Sequence, residues 1–241
     1  KSTEYNIGLD LGFFNNRLYA NIDLYNKVTS DMLWEYSVPV PPNLYGYTTA
    51  NVGSMSNQGI EVLIGGSPIQ TKNFEWHSTL TLAHNRNKLI NMSTDLYQTE
   101  NYLDGGWTEE PTSMVTQRTY IGDAIGSFYM LKSVGVVESG PQKGLWLIED
   151  PETGEAVPFE SGMRNYDSRF RQYCGSALPK LTMGWSNTLR FYGVDVTMSF
   201  SGQFGYKIFN CQRMFYENLN IGLNRYKSAT QPVYGTTLAK S

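Results

Sequence analysis

Charge is what this sequence has least of. Asp, Glu, Lys and Arg make up 17% of its 241 residues, against roughly 25% in an average soluble protein. The net charge of -3 offers no basic footprint, so nucleic acid is not expected as a partner. Cysteine is almost missing. Cys174 and Cys211 are the whole complement, which excludes a disulfide-stapled scaffold and leaves room for one bridge at most. His77 and His84 are the only histidines; seven apart along one strand they fall on opposite faces and cannot converge on a metal. Both are expected to line a lumen or its rim, and neither a metal nor another cofactor is expected. No run approaches the ~20 apolar residues of a membrane helix. Lys1-Ser2-Thr3-Glu4 begins no signal peptide, so an exported protein would lack its own start here. Helical patterning is poor as well: the best stretch, 89–96, is short and rich in Asn, Ser and Thr.

What remains is alternation. Residues 5–14 set Ile7, Leu9, Leu11 and Phe13 against Asn6, Gly8, Asp10 and Gly12, and residues 17–25 set Leu18, Ala20, Ile22 and Leu24 against Tyr19, Asn21, Asp23 and Tyr25. Each reads as a strand with one apolar face. With Asn15-Asn16 as a two-residue turn, opposing residue numbers sum to about 31. Phe13 then meets Leu18, Leu11 meets Ala20, Leu9 meets Ile22 and Ile7 meets Leu24. A one-residue slip would scramble both faces, which supports the register.

A second hairpin spans 59–83. Ile60, Val62, Ile64, Phe74, Trp76, Leu80 and Leu82 share the apolar parity, with Ser78 an exception, while Glu61, His77, Thr79 and Thr81 share the polar one. Its turn is expected at 67–73. A third hairpin spans 180–205. With Tyr192-Gly193 as the turn, opposing numbers sum to about 385, pairing Phe191 with Val194, Trp185 with Phe200, and Arg190 with Asp195. Only Asn187 interrupts the apolar face. Extending the same register past Pro179 puts Cys174 opposite Cys211, and a disulfide between them is expected.

Between these hairpins the alternation lapses over 26–57, 85–179 and 206–241. Short turns therefore alternate with long connections, as in an outer-membrane barrel with tight periplasmic turns and large extracellular loops. A loop of nearly a hundred residues must be functional or folded on itself. Aromatic residues beside each short turn, Phe13, Phe14, Phe74, Trp76, Phe191 and Tyr192, fit an interfacial girdle. The fold expected is all-β, an antiparallel transmembrane β-barrel seen as a fragment of about six strands. Barrels of this type start at eight strands, so the chain reads as part of a larger protein. A soluble antiparallel sheet would show the same one-sided pattern in any single hairpin.

Residues 51–53, NVG, and 56–89, SNQGIEVLIGGSPIQTKNFEWHSTLTLAHNRNKL, resemble a hallmark segment in the C-terminal half of the barrel of SusC-like, TonB-dependent outer-membrane transporters. Residues 4–33, EYNIGLDLGFFNNRLYANIDLYNKVTSDML, 121–140, IGDAIGSFYMLKSVGVVESG, and 175–210, GSALPKLTMGWSNTLRFYGVDVTMSFSGQFGYKIFN, agree with it. The resemblance implies a barrel of about 22 strands with a plugged lumen, a SusD-like surface lipoprotein as lid, and import of a glycan or peptide driven through TonB. It places the protein in the outer membrane of a Gram-negative bacterium. The plug domain and the TonB-contact segment of that family have no counterpart in this sequence. Where many members carry an Asp-rich loop, this chain has Glu149-Asp150-Pro151-Glu152-Thr153-Gly154-Glu155. That spacing does not match a calcium loop, and a solvated acidic turn is the better reading.

No constellation of residues points to catalysis, so the protein is expected to transport rather than transform its solute. The candidates for contacting a glycan or the lid are aromatic residues in the expected extracellular segments: Trp34, Tyr36, Tyr45, Tyr47, Tyr102, Trp107 and Trp146, whose rings can stack on sugar faces. Asp10, Asp23, Glu61, His77, Arg190 and Asp195 are the polar candidates for the lumen. Other readings are a peptide importer of the same family, a porin-like or adhesin-like barrel, and a soluble all-β glycan-binding module.

Overall fold

The computed structural model describes residues 1–93, 102–108, 113–165, 167–217 and 226–231. In chain order the strands are β1 (Ser2–Phe13), β2 (Leu18–Ser37), β3 (Tyr47–Gln70), β4 (Phe74–Asn91), β5 (Tyr102–Trp107), β6 (Val115–Tyr120), β7 (Ser127–Leu131), β8 (Ser133–Val136), β9 (Trp146–Glu149), β10 (Ala156–Pro158), β11 (Arg171–Ser176), β12 (Leu181–Phe191) and β13 (Val194–Phe204). One short helix, α1 (Cys211–Tyr216), follows. The chain divides into two compact units. The first holds 1–103, 119–125 and 176–206, and the second holds 104–118, 126–175 and 207–241.

The first unit is built on a six-stranded antiparallel sheet in the order β1-β2-β3-β4-β12-β13. Its first and last hairpins have the registers that the alternation predicts: Phe13 pairs with Leu18 and Ile7 with Leu24, while Phe191 pairs with Val194 and Trp185 with Phe200. Asn15 and Asn16 both take positive φ, as do Tyr192 and Gly193. That is the geometry a two-residue turn needs to match strand twist. Arg17 N donates to Phe14 O at 3.2 Å and closes the first turn.

The second hairpin differs at its tip. β3 runs on to Gln70 and the turn is only 71–73, closed by Thr71 N on Phe74 O at 2.7 Å. Ser67 and Pro68 lie in a register shift between Gly66 and Ile69. A proline has no N–H for the ladder and is tolerated at such an irregularity, so the residues that resemble a turn in sequence form a bulge.

The supposed loop 26–57 is mostly strand. β2 continues to Ser37 and β3 begins at Tyr47, paired as far as Ser37 with Tyr47. The ladder keeps its sum of 84 on both sides of a bulge near Asp31, whose φ is +57°. Alternation vanishes there because Asn26, Lys27, Thr29 and Ser30 face Gln58, Asn57, Met55 and their neighbours. Backbone pairing does not need an apolar face. The small buried core of this unit forms in that extension, where Tyr36, Ala50 and Val52 cluster.

The described residues of 85–179 carry further strands. β4 extends to Asn91, and the remainder supplies two small sheets, one ordered β11-β7-β6-β5 and one β10-β9-β8. Of the weak helical stretch 89–96, Leu89 and Asn91 belong to β4, and 94–96 lie outside the described residues. So does much of 206–241.

The expected disulfide is not formed: Cys174 and Cys211 are both free. The hairpin register stops where Lys180 N meets Phe204 O. Beyond it Gly175 lies against Lys207, three residues out of step with the sum the disulfide required. Cys174 then sits in β11 with its thiol toward Met130 O and Gln172 O, and Cys211 opens α1. Burial pushes the Cys174 thiol up, which keeps it protonated and unreactive.

Candidate functional site

Pairing across the sheet turns two strand parities into two surfaces. Leu11, Ala20, Ile64, Leu80, Trp185 and Phe200 follow one another across all six strands, and Leu9, Ile22, Val62, Leu82 and Met183 run parallel to them. This face is apolar and uncovered: Ile7 is 73% exposed, Leu9 53% and Phe200 53%. Two of its polar residues have a clear use. Trp76 Nε1 donates to Asn187 Oδ1 at 3.0 Å, and Trp185 Nε1 donates to Ser78 Oγ at 3.0 Å. Ser78 and Asn187 pair directly. An indole N–H away from water needs an acceptor, and Ser78 and Asn187 supply it.

The other face carries the polar candidates. Asn21 donates its amide to Asp10 across β1 and β2. Asp23 lies opposite Glu61. Arg190 grips Asp195 with two contacts, 2.9 and 3.4 Å, and reaches Glu75 at 3.6 Å, so one row of charges crosses β4, β12 and β13. His77 is the hub of a hydroxyl network: Ser67 Oγ is 3.2 Å from Nδ1, while Thr79 Oγ1 and Tyr19 Oη are 3.3 and 3.5 Å from Nε2. A Ser–His pair used in catalysis has a carboxylate on the far nitrogen; hydroxyls stand there instead. His84 does not join this wall. It pairs with Ile60 on the apolar parity, and its Nδ1 is hydrogen-bonded with the Lys180 carbonyl.

The sequence reading missed Tyr19 and Tyr25. Each lies over the glycine directly across from it, Gly65 and Gly59, where any Cβ would collide with the phenol ring. Tyr25 also donates to Asn85 Oδ1 at 3.1 Å. The signal is a Tyr opposite a Gly at a sum of 84. It is visible only once β2 is known to pair with β3.

The loop aromatics separate into two groups. Tyr36 is 2% exposed, its hydroxyl donating to Met92 O at 2.8 Å. It is a core residue and cannot contact solute, which corrects its place among the candidates. Tyr102 packs edge-on against Tyr120 at 5.6 Å, and Trp146 is half-buried in β9. Trp34, Tyr45, Tyr47 and Trp107 are exposed. Trp107 borders a cavity of about 220 Å³ that Met163, Arg164 and Arg171 also line.

The acidic turn after Glu149 is closed from within the second unit. Arg169 binds the Asp150 carboxylate at 2.9 Å and also reaches Glu152 at 3.4 Å. The Glu152 amide donates to Asp150 Oδ1 at 3.0 Å. The hydrogen bond from Arg169, then that from the Glu152 amide, hold the Asp150 carboxyl below the usual carboxylate range. Arg169 thus bridges two of the carboxylates of this turn.

With both faces in place, comparison with known proteins is decisive. The family described as TonB dependent receptor-like, beta-barrel, matches residues 1–144. The chain belongs to this family. TonB-dependent receptor P26 of Formosa agariphila is 29% identical over 210 residues, covering 85% of this chain and 20% of that protein. TonB-dependent receptor SusC of Bacteroides thetaiotaomicron is 33% identical over 135 residues, 56% of this chain and 13% of SusC. Among solved structures, the RagAB peptide transporter superimposes with a TM-score of 0.69 at 26% identity, over 90% of this chain and 22% of that one. The chain thus spans about a fifth of the length of such relatives. TonB-dependent receptors are outer-membrane β-barrel transporters, not enzymes, and the antiparallel sheet here is an unclosed part of such a barrel.

Proposed function

We infer that this chain forms part of the wall of an outer-membrane, TonB-dependent importer working with a SusD-like surface lipoprotein. The observation that carries this is the six-stranded sheet whose apolar face is uncovered and whose other face is a hydrogen-bonded polar wall. The apolar face meets lipid, and Asp10, Asp23, Glu61, His77, Arg190 and Asp195 face the lumen. The short turns are periplasmic and the extensions of β2, β3 and β4 are extracellular.

The solute is a glycan on this reading, because Trp34, Tyr45, Tyr47 and Trp107 present exposed rings in the extracellular segments. A peptide solute is favoured by a different observation, the likeness to a transporter described as importing peptides. Calorimetry with the complete transporter, its lipoprotein and separate panels of oligosaccharides and peptides separates them. A glycan importer binds oligosaccharide and loses at least tenfold in affinity when Trp34, Tyr45, Tyr47 and Trp107 become Ala. Unchanged affinity, or binding of peptides alone, removes the glycan reading. Release of the protein from membranes without detergent would remove the importer itself in favour of a soluble binding module.

A further inference from the structure

We propose that a groove on the apolar face, beside the first short turn, holds an acyl chain of a membrane glycerophospholipid whose phosphate rests on Arg17. This builds on the reading that the face meets lipid. The groove is an open depression of about 630 Å³, within the size range of small-molecule sites. Its floor is Gly66 and Ser78, neighbours across β3 and β4. Leu18, Ile64, Leu80 and Trp185 wall it, with Phe14 and Pro68 toward the turn.

The hollow follows from packing needs at its floor. A Cβ at Gly66 would meet the carbonyl oxygen of Arg17 and the Cα of Leu18, and Ser67 N donates to that carbonyl at 2.9 Å. Ser78 must stay small and polar to accept the Trp185 indole. Neither position can be filled without a loss elsewhere, so the depression persists on a surface otherwise lined by large apolar side chains.

Arg17 supplies the charge. It lines the groove and is exposed, and among the described residues no carboxylate pairs with it. Its aliphatic stem can lie along the apolar wall while the guanidinium reaches the interface. A phosphate there accepts two parallel N–H bonds from the guanidinium. The short turns sit at the end of the apolar band, where lipid phosphates lie, so one ligand satisfies groove and cation together.

The test is titration of the complete transporter, delipidated in detergent, with dioleoyl phosphatidylglycerol, read by native mass spectrometry. One lipid is held more tightly than the rest. Arg17→Gln weakens it about fivefold, the weight of one basic residue at a membrane surface. Lys72→Gln, on the neighbouring turn and absent from the groove lining, changes it less than about twofold, because it does not reach the bound phosphate and its field is screened by salt. Ser78→Leu fills the floor and displaces the lipid; should that variant fail to fold, Arg17→Gln decides. Equal losses in the Arg17 and Lys72 variants, no loss in either, displacement by inorganic phosphate, or a second copy of the chain in place of lipid would each overturn the proposal. Brominated-acyl phospholipid bilayers test the underlying reading separately. If Trp76 and Trp185 are not quenched, the face does not meet lipid. If they are quenched while Arg17→Gln binds like the wild type, only the groove is lost.

Discussion

Trp76 and Trp185 show why a polar residue on an apolar face need not be an error of pattern. Each indole donates across β4 and β12 to a polar side chain on the facing strand. Asn187, only 4% exposed, has its carbonyl taken by Trp76. Asn187→Leu should leave that N–H without an acceptor and cost about 1–3 kcal/mol. Trp76→Phe combined with Asn187→Leu removes both partners and should recover most of the loss, since replacing donor and acceptor together is nearly neutral. Urea midpoints of the complete barrel in detergent would show this coupling, and simple additivity would contradict it.

Asp150 makes a prediction about pH. Its carboxyl lies below the ordinary range in the folded chain because Arg169 and the Glu152 amide bind the charged form. A carboxylate so shifted stabilises the fold above its unfolded value of roughly 3.9 and loses that contribution as pH falls through the lower folded value. The turn should therefore stay closed from neutrality through about pH 4 and open only as the pH falls further, through the lowered folded value. Removing the cation with Arg169→Gln should move the opening up toward the ordinary range. Protection of the Glu152 and Gly154 amides against hydrogen exchange, followed with pH, measures it.

Among the elements, the β2–β3 pair depends on glycines for two separable reasons. At Gly65 an added Cβ meets only the Tyr19 ring, a side chain that can rotate away. At Gly66 it meets the backbone of Arg17 and Leu18, which cannot. Gly66→Ala should impair folding of the barrel more than Gly65→Ala, with a difference of at least about 1 kcal/mol, in the range of overpacked sites. Band-shift assays of folded against heat-unfolded protein would rank the two. The same strands show where pattern reading stops. Alternation marks β2 only to Tyr25, yet the ladder runs to Ser37, because a strand with polar or protein-covered faces keeps its hydrogen bonds without alternating.

For the whole molecule, the two faces of the sheet are the functional statement. Membership in the TonB-dependent receptor family and an uncovered apolar face agree on a barrel wall, and on the function proposed above the polar face would line the path of the solute. His77, locked among three hydroxyls, is a structural hub of that wall. His77→Ala should reduce barrel stability while leaving solute affinity within about twofold, as expected of a network member that holds strands together rather than a ligand contact. Paired unfolding and binding measurements separate those outcomes.

Much of this was legible in residue order. Two hairpin registers, the parity of both faces and the family resemblance were local, since a two-residue turn fixes which residues oppose one another and alternation names the side each faces. Other features waited for tertiary structure. That β4 pairs with β12 across about a hundred residues, that Tyr19 covers Gly65, that Tyr36 is core and that Cys174 never meets Cys211 all depend on partners distant in sequence. No periodicity within one strand encodes the identity of its neighbour. Local patterns dictate how each hairpin folds and which side is apolar; the packing between hairpins and the path of the long connections decide which side chains touch.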